Sequence, residues 1–205
     1  MTTARLHTDD GITLEAIVDA PDDVRGTLIL CHPHPQHGGT MRAPILSTIA
    51  SRAVAAGYRA LRFNFRGVGE STGTFGDGIA ELTDVAAAAA FAETLDEPLA
   101  GITGWSFGAA AALNWQALSD SAIPYVGIAP PVTSPLSPHL PDAARLVPAT
   151  RQFIIGARDQ FVAAEDLKRY ATSIGAAVVV YPSADHFFVF KHDKLADDVI
   201  AAISS

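Results

Sequence analysis

The chain has 205 residues, of which 49% are hydrophobic and 18% are charged, and its formal net charge is -8. This length and apolar content suit a single globular domain, residues 1–205, with a sizeable core, and they exclude a disordered chain. The acidic balance and the scattered Lys and Arg argue against nucleic-acid binding and against docking on an anionic membrane, while a single cysteine, Cys31, excludes an intramolecular disulfide and any CxxC motif.

The N-terminal segment has no apolar core and turns acidic by Asp9, so it does not resemble a secretory signal. Two long uncharged stretches, 98–119 and 121–141, are broken by glycines and prolines, and neither offers the roughly 20 continuous apolar residues of a transmembrane helix. We therefore expect a cytoplasmic protein whose partner is a small molecule. The sequence leaves the oligomeric state open, a homodimer included.

Strand-like and helix-like segments alternate along the chain. In chain order the patterns predict strand 12–18, strand 27–31, helix 43–56, strand 58–65, helix 79–95, strand 99–105, helix 107–118, strand 125–129, strand 152–155, helix 163–174, strand 177–181 and helix 195–203. Such alternation predicts an α/β fold with a mostly parallel, doubly wound sheet of about seven to eight strands. In these sheets the chemistry lies in loops beyond the carboxyl ends of the strands.

The strongest motif is Gly104-Trp105-Ser106-Phe107-Gly108, which fits G-x-S-x-G and lies between a predicted buried strand and a predicted helix. In that context the motif is a nucleophile elbow, where a tight turn requires small flanking residues and exposes the serine. Ser106 is therefore the candidate nucleophile, and the backbone N–H of Phe107 is a candidate oxyanion donor at the helix N-terminus. The alternative is a close-packed turn in which Ser106 only caps the helix.

A serine nucleophile requires a base and an orienting carboxylate. His186 follows the last predicted strand and is a better placed base than His192 or His139. Asp159 follows the strand before it, and we favour it over Asp185, because side chains adjacent in sequence rarely meet in the needed geometry. The order Ser106, Asp159, His186 is the order of the α/β-hydrolase triad.

The segment Cys31-His-Pro-His-Pro-Gln-His-Gly-Gly follows the predicted strand 27–31. Because Pro33 and Pro35 carry no N–H, His34 alone between them can donate a backbone hydrogen bond, and it is the second candidate oxyanion donor. A competing interpretation uses the imidazoles of His32, His34 and His37 as metal ligands, although Gln36 stands where the related H-x-H-x-D-H motif has Asp.

With these residues in place, the chain resembles the α/β-hydrolase superfamily over nearly its whole length. It is most similar to small cap-less serine hydrolases through the segments CHPHPQHGGTM, LRFNFRGVGES, GWSFGA and ADHFF. The resemblance implies the same site: Ser106 as nucleophile, His186 as base, Asp159 as acid, and the N–H groups of His34 and Phe107 as the oxyanion hole.

Many superfamily members carry a helical cap after the sixth strand. Here only residues 130–150 separate the predicted strands 125–129 and 152–155, which correspond to the sixth and seventh strands of the superfamily, and six prolines among these 21 residues permit at most one helical turn, near 142–146. We therefore expect an open, shallow site suited to small or extended acyl compounds.

Together these observations predict a serine hydrolase, a small carboxylesterase or thioesterase, with no metal or organic cofactor. Two alternatives from other classes remain: a metal-dependent hydrolase built on the three histidines, and a non-catalytic binding protein that keeps the fold. The sequence does not identify the acyl group, the leaving group or the pathway.

Overall fold

The computed structural model describes all 205 residues, Met1–Ser205. It contains eight strands and five α-helices. In chain order they are β1 (Thr2–His7), β2 (Thr13–Asp19), β3 (Thr27–Cys31), α1 (Pro44–Ala55), β4 (Arg59–Phe63), α2 (Glu81–Glu93), β5 (Leu99–Trp105), α3 (Phe107–Ser119), β6 (Tyr125–Ile128), β7 (Arg151–Gly156), α4 (Ala164–Ser173), β8 (Ala177–Tyr181) and α5 (His192–Ile203).

All eight strands form one sheet in the order β1-β2-β4-β3-β5-β6-β7-β8. The pairs β1–β2 and β2–β4 are antiparallel, and every other neighbouring pair is parallel. This is the predicted α/β class, a mostly parallel doubly wound sheet, and the count of eight lies within the predicted range.

The direction of the crossovers decides which face each helix covers. The chain moves one way from β3 to β4 and the other way from β4 to β5, so right-handed connections put α1 on one face and α2, α3 and α4 on the other. Helix α5 packs against α1, while α2 packs against α3. The point at which the strand order reverses lies between β3 and β5, where ligand crevices open in such sheets.

The sequence patterns missed one strand. In β1 only Leu6 is buried, Ala4 is half-buried and the other residues are polar and exposed, because the strand lies at the edge of the sheet with its neighbour on one side only. Its register pairs Leu6 with Leu14 of β2. An edge strand of this kind carries too little apolar periodicity to be distinguished from a polar terminus. Helix α5 also begins earlier than predicted, at His192 instead of Leu195.

The segment between β6 and β7 forms no cap. Its one helical element is a single 3-10 turn, Ala143–Arg145, within the stretch where the sequence allowed one turn. The absence of a helical cap from this connection confirms the expected cap-less fold. None of the α-helices combines the length and apolar character needed to cross a lipid bilayer.

Candidate active site

Strand register brings the chemistry-bearing loops together at one edge of the sheet. Cys31 of β3 pairs with Gly104 of β5, so the His-Pro loop and the serine turn leave neighbouring strands at the same level. Gly156 of β7 pairs with Tyr181 of β8, which likewise places the loops after those strands side by side. All four loops follow carboxyl ends of parallel strands.

Ser106 occupies a sharp turn between β5 and α3. Its backbone has φ 55° and ψ −120°, a conformation that non-glycine residues rarely adopt, and its N–H donates to the carbonyl of Ile128 at 2.7 Å. A Cβ on Gly104 would lie 2.5 Å from the backbone of Ala109. The glycine requirement of the motif is therefore steric, and the strained backbone has the conformation that a nucleophile elbow would require.

The serine side chain does not cap the helix. Ser106 is the residue before α3, but its side chain makes no capping hydrogen bond. Its residue surface is partly exposed at the end of the sheet. The hydroxyl is therefore available for a role other than the capping one considered from the sequence.

Two backbone donors point to no acceptor within the protein. The N–H groups of His34 and Phe107 make no hydrogen bond, although the adjacent backbone is well tied: Gly39 and His37 both donate to the carbonyl of His34, at 3.0 and 3.1 Å. The Phe107 N–H belongs to the first residue of α3, where helix geometry leaves amides without partners. Two free, fixed donors of this kind suit a developing negative charge.

Asp159 and His186 are in direct contact. The Nδ1 atom of His186 lies 2.7 Å from Oδ2 of Asp159, and the two side chains are 7% and 0% exposed. The other carboxylate oxygen of Asp159 accepts hydrogen bonds from the backbone N–H groups of Phe161 and Val162, both at 2.8 Å. These contacts fix the carboxylate, and an aspartate beside Nδ1 orients an imidazole with its Nε2 atom free to act as a base.

The competing acid and bases make other contacts. Asp185 accepts a hydrogen bond from the N–H of Phe187 at 3.0 Å, as a turn-forming aspartate does. His192 donates from Nε2 to the carbonyl of Phe187 at 2.9 Å and pairs with no carboxylate. The contact of His139 is made by its backbone carbonyl, which accepts a hydrogen bond from the Asn114 side chain. The carboxylate–imidazole contact is thus made by the favoured pair.

Aromatic rings surround His186, and the sequence analysis did not single them out. Phe161, Phe187 and Trp105 lie with ring centroids 5.0, 5.7 and 5.8 Å from the imidazole. The indole Nε1 of Trp105 also donates to the carbonyl of His186 at 3.1 Å. Phe187 directly follows His186, and Trp105 directly precedes Ser106. This adjacency to candidate site residues is the signal that could have found them.

The three histidines of the His-Pro loop do not form a ligand set. His32 is fully buried, its Nδ1 donates to the carbonyl of Pro33 at 2.6 Å, and its Nε2 accepts from the N–H of Phe65 at 3.0 Å. Burial lowers the pKa of His32 to about 4, so the ring is neutral at pH 7. With both nitrogens engaged inside the core, His32 is not free to coordinate a metal.

His34 and His37 make ring contacts. The two imidazoles stack with centroids 4.2 Å apart, and Nδ1 of His34 accepts from the N–H of Gln36 at 3.2 Å. Burial, followed by the charge of His37, lowers the pKa of His34. The His34 ring also contacts Phe107 at 5.2 Å, so it helps to hold the loop against the start of α3.

Comparison with known proteins identifies the same class of fold. The model of the dienelactone hydrolase family matches residues 72–204. Uncharacterized protein RP471 of Rickettsia prowazekii (strain Madrid E) is 32% identical over 192 residues, which cover 86% of this chain and 79% of the relative.

Solved structures extend the similarity to the whole chain. A lid-less α/β serine hydrolase from Xanthomonas campestris is 27% identical and superposes with a TM-score of 0.84, covering 99% of this chain and 93% of that one. An α/β serine hydrolase homologue from Coxiella burnetii is 29% identical with a TM-score of 0.83, covering 98% and 96%. An esterase from Pyrococcus furiosus, at 18% identity and a TM-score of 0.81, covers 99% and 89% and shares the fold.

Proposed function

Because the chain belongs to the dienelactone hydrolase family and is an α/β-fold hydrolase, we propose that it is a serine hydrolase acting by acyl transfer to water. The observation that supports this proposal most directly is the 2.7 Å contact between Asp159 and His186, in loops at the same sheet edge as the strained Ser106 turn. A carboxylate, an imidazole and a serine on a nucleophile elbow are the three groups that this chemistry requires.

In the first half of the reaction, Nε2 of His186 removes the hydroxyl proton of Ser106 while Oγ bonds to the substrate carbonyl carbon. The carbonyl π electrons move to oxygen and produce a tetrahedral oxyanion. Asp159 holds the imidazole in the tautomer whose Nε2 is free and stabilises the imidazolium that forms. His186 then gives the proton to the leaving group as its bond to carbon breaks, and an acyl-enzyme remains.

In the second half, water takes the place of the alcohol or thiol. His186 accepts a proton from the water, its oxygen attacks the acyl carbon, and collapse of the second oxyanion returns the proton to Ser106 and releases the acid. The N–H groups of His34 and Phe107 stabilise both oxyanions, aided by the positive end of α3. The backbone donors are fixed before reaction, because Pro33 and Pro35 flank one and a helix begins at the other.

The substrates we propose are small or extended carboxylesters or thioesters. No cap covers the serine, which is consistent with the open site expected from the sequence. The exposed rings of Phe161 and Phe187 beside His186 favour a substrate that is apolar near the reacting carbonyl.

Replacement of the nucleophile tests the proposal. We expect Ser106→Ala to lose about four or more orders of magnitude in p-nitrophenyl ester turnover and to lose labelling by a fluorophosphonate probe. The matched control is Ser173→Ala, which alters an exposed serine on α4 and should keep both. Full activity of Ser106→Ala would refute the mechanism. Activity that is abolished by a chelator and insensitive to fluorophosphonate would indicate the metal-dependent alternative instead.

A further inference from the structure

A groove of about 680 Å³ opens beside the candidate triad. It lies between the first turns of α1 and α5, and its lining includes Trp105 and Phe187, the sequence neighbours of Ser106 and His186. Ile45 and Thr48 of α1 line the groove as well. The volume falls within the range of roughly 300–1,000 Å³ that small-molecule sites occupy.

Exposed apolar residues form part of the rim of the groove, which His192 and Asp193 also line. Phe187 and Val189 are about half exposed, and Phe190 is 97% exposed and also lines the groove. Contiguous exposed apolar side chains are costly in water and commonly mark a binding surface.

The backbone of this rim is strained. Phe188 and Phe190 have φ values of 50° and 61°, in the left-handed region that bulky residues rarely adopt. The conformation sends Phe188 into the core against Tyr181, at 5.5 Å, while its neighbours face outward. Strain of this kind tends to persist where a segment shapes a ligand site.

The position of the groove relates it to one half of the substrate. The oxyanion donors of His34 and Phe107 receive the carbonyl oxygen, and His186 must contact the leaving-group oxygen or sulfur in order to protonate it. The groove shares Phe187 and Trp105 with the aromatic surroundings of His186, and none of its lining residues contributes to the oxyanion donors. It therefore continues from the leaving-group side of the reaction centre.

On the basis of the proposed serine hydrolase activity, we propose that this groove binds the hydrocarbon chain of the leaving group. The leaving group is then an alkyl alcohol or thiol with an extended chain. Leaving-group length then governs acylation, whereas the acyl part of the substrate lies elsewhere. Because the groove removes the hydrocarbon chain from water, each methylene added to the leaving group raises kcat/KM by up to about fourfold.

Two ester series separate the halves of the substrate. Alkyl butyrates from methyl to hexyl vary only the leaving group and form one common acyl-enzyme, so their differences arise before deacylation. p-Nitrophenyl esters from acetate to octanoate vary only the acyl group. We expect the wild type to show a kcat/KM rise of about tenfold or more from methyl to hexyl butyrate.

Two variants address the groove from opposite directions. Phe190→Ala removes an exposed wall and should reduce that rise to about threefold or less. Thr48→Trp fills the groove from α1 and should abolish the rise while methyl butyrate turnover is kept. Neither variant should change the relative rates in the p-nitrophenyl series. Leu118→Ala, which removes an exposed leucine at the far end of α3, is the matched control and should keep both profiles.

Several results would overturn the proposal. Leaving-group profiles that are flat in the wild type, or unchanged in both groove variants, would show that the groove binds no leaving group. A dimer that dissociates in Phe190→Asp with an unaltered ester profile would assign the surface to a second copy of the chain. If the wild type hydrolyses no ester in either series, the proposed function fails and this inference fails with it.

Discussion

The indole Nε1 of Trp105 donates a hydrogen bond to the backbone carbonyl of His186, at 3.1 Å. The residue before the candidate nucleophile thereby holds the backbone that carries the candidate base, across two loops separated by 81 positions in the chain. Both residues are buried, so the carbonyl would have no water partner if the indole were lost. The relative position of Ser106 and His186 depends on this contact as well as on the Asp159 carboxylate.

Removing the indole N–H should therefore reduce activity without unfolding the protein. We expect Trp105→Phe to lower kcat/KM for a p-nitrophenyl ester by about tenfold, because an unsatisfied buried carbonyl loosens the His186 loop. The chain offers a matched control in Trp115, which is buried to the same extent and whose indole donates no hydrogen bond. Trp115→Phe should keep wild-type kcat/KM, and equal effects of the two variants would contradict the role of the hydrogen bond.

Asp159 and Asp185, the two aspartates near His186, should respond differently to replacement by asparagine. Asp159→Asn should lower kcat by about 10⁴, since an amide cannot stabilise the imidazolium and favours the wrong tautomer. Asp185→Asn should keep kcat within about twofold, because the side-chain oxygen that accepts from Phe187 is retained. Steady-state kinetics with one ester measures both. Loss of activity in the Asp185 variant alone would reverse the assignment.

Steric demand at the serine turn gives a prediction for glycine replacement. A Cβ on Gly108 would lie 2.3 Å from the carbonyl oxygen of His32, so Gly108→Ala must displace the loop that carries the His34 donor. We expect activity to fall by at least about 100-fold, with a loss of about 2–3 kcal/mol in the free energy of unfolding.

The control for that replacement lies in the turn between β1 and β2. Gly11 has φ +85° and open space around its Cβ position, so Gly11→Ala should cost about 1–2 kcal/mol of backbone strain and leave kcat unchanged. Urea unfolding and ester kinetics on both variants separate the two effects. Wild-type activity in Gly108→Ala would show that the loop is not part of the site.

Burial of His32 predicts how stability depends on pH. The pKa is about 4 in the folded protein and near 6.5 in the unfolded chain, so the unfolded chain binds the proton first as the pH falls. This contribution to stability is complete above pH 6.5 and is lost progressively down to about pH 4. Between pH 7 and pH 5 the loss amounts to about 2 kcal/mol.

Urea unfolding at pH 7 and pH 5 measures that loss, with His32→Gln as the comparison. The glutamine cannot titrate, so the variant should be less stable at pH 7 and should lose about 2 kcal/mol less on acidification. Burial also lowers the pKa of His34, so the free energy of unfolding of the variant still falls on acidification, though less steeply. Identical slopes in the two proteins would show that His32 is not the titrating group.

Much of the fold and of the candidate site followed from the sequence alone. Alternating strand and helix patterns specified a parallel sheet, and in such a sheet all carboxyl ends meet at one edge. That rule was sufficient to bring the loops of Ser106, Asp159 and His186 together and to add the His-Pro loop beside them. The glycines at 104 and 108 indicated a turn too tight for any Cβ, and their surroundings in the structure give the steric reason.

Tertiary structure decided which side chains meet within those loops. Whether Asp159 or Asp185 contacts His186 depends on the conformation of loops that follow no periodic pattern, and there Asp159 meets the imidazole while Asp185 accepts from the N–H of Phe187. The role of His32 in the core depends on a contact with a distant segment, because its Nε2 accepts a hydrogen bond from the backbone N–H of Phe65, which follows β4. Sequence spacing fixes the order of groups along a chain, whereas hydrogen bonds and burial between distant loops fix their neighbours in space.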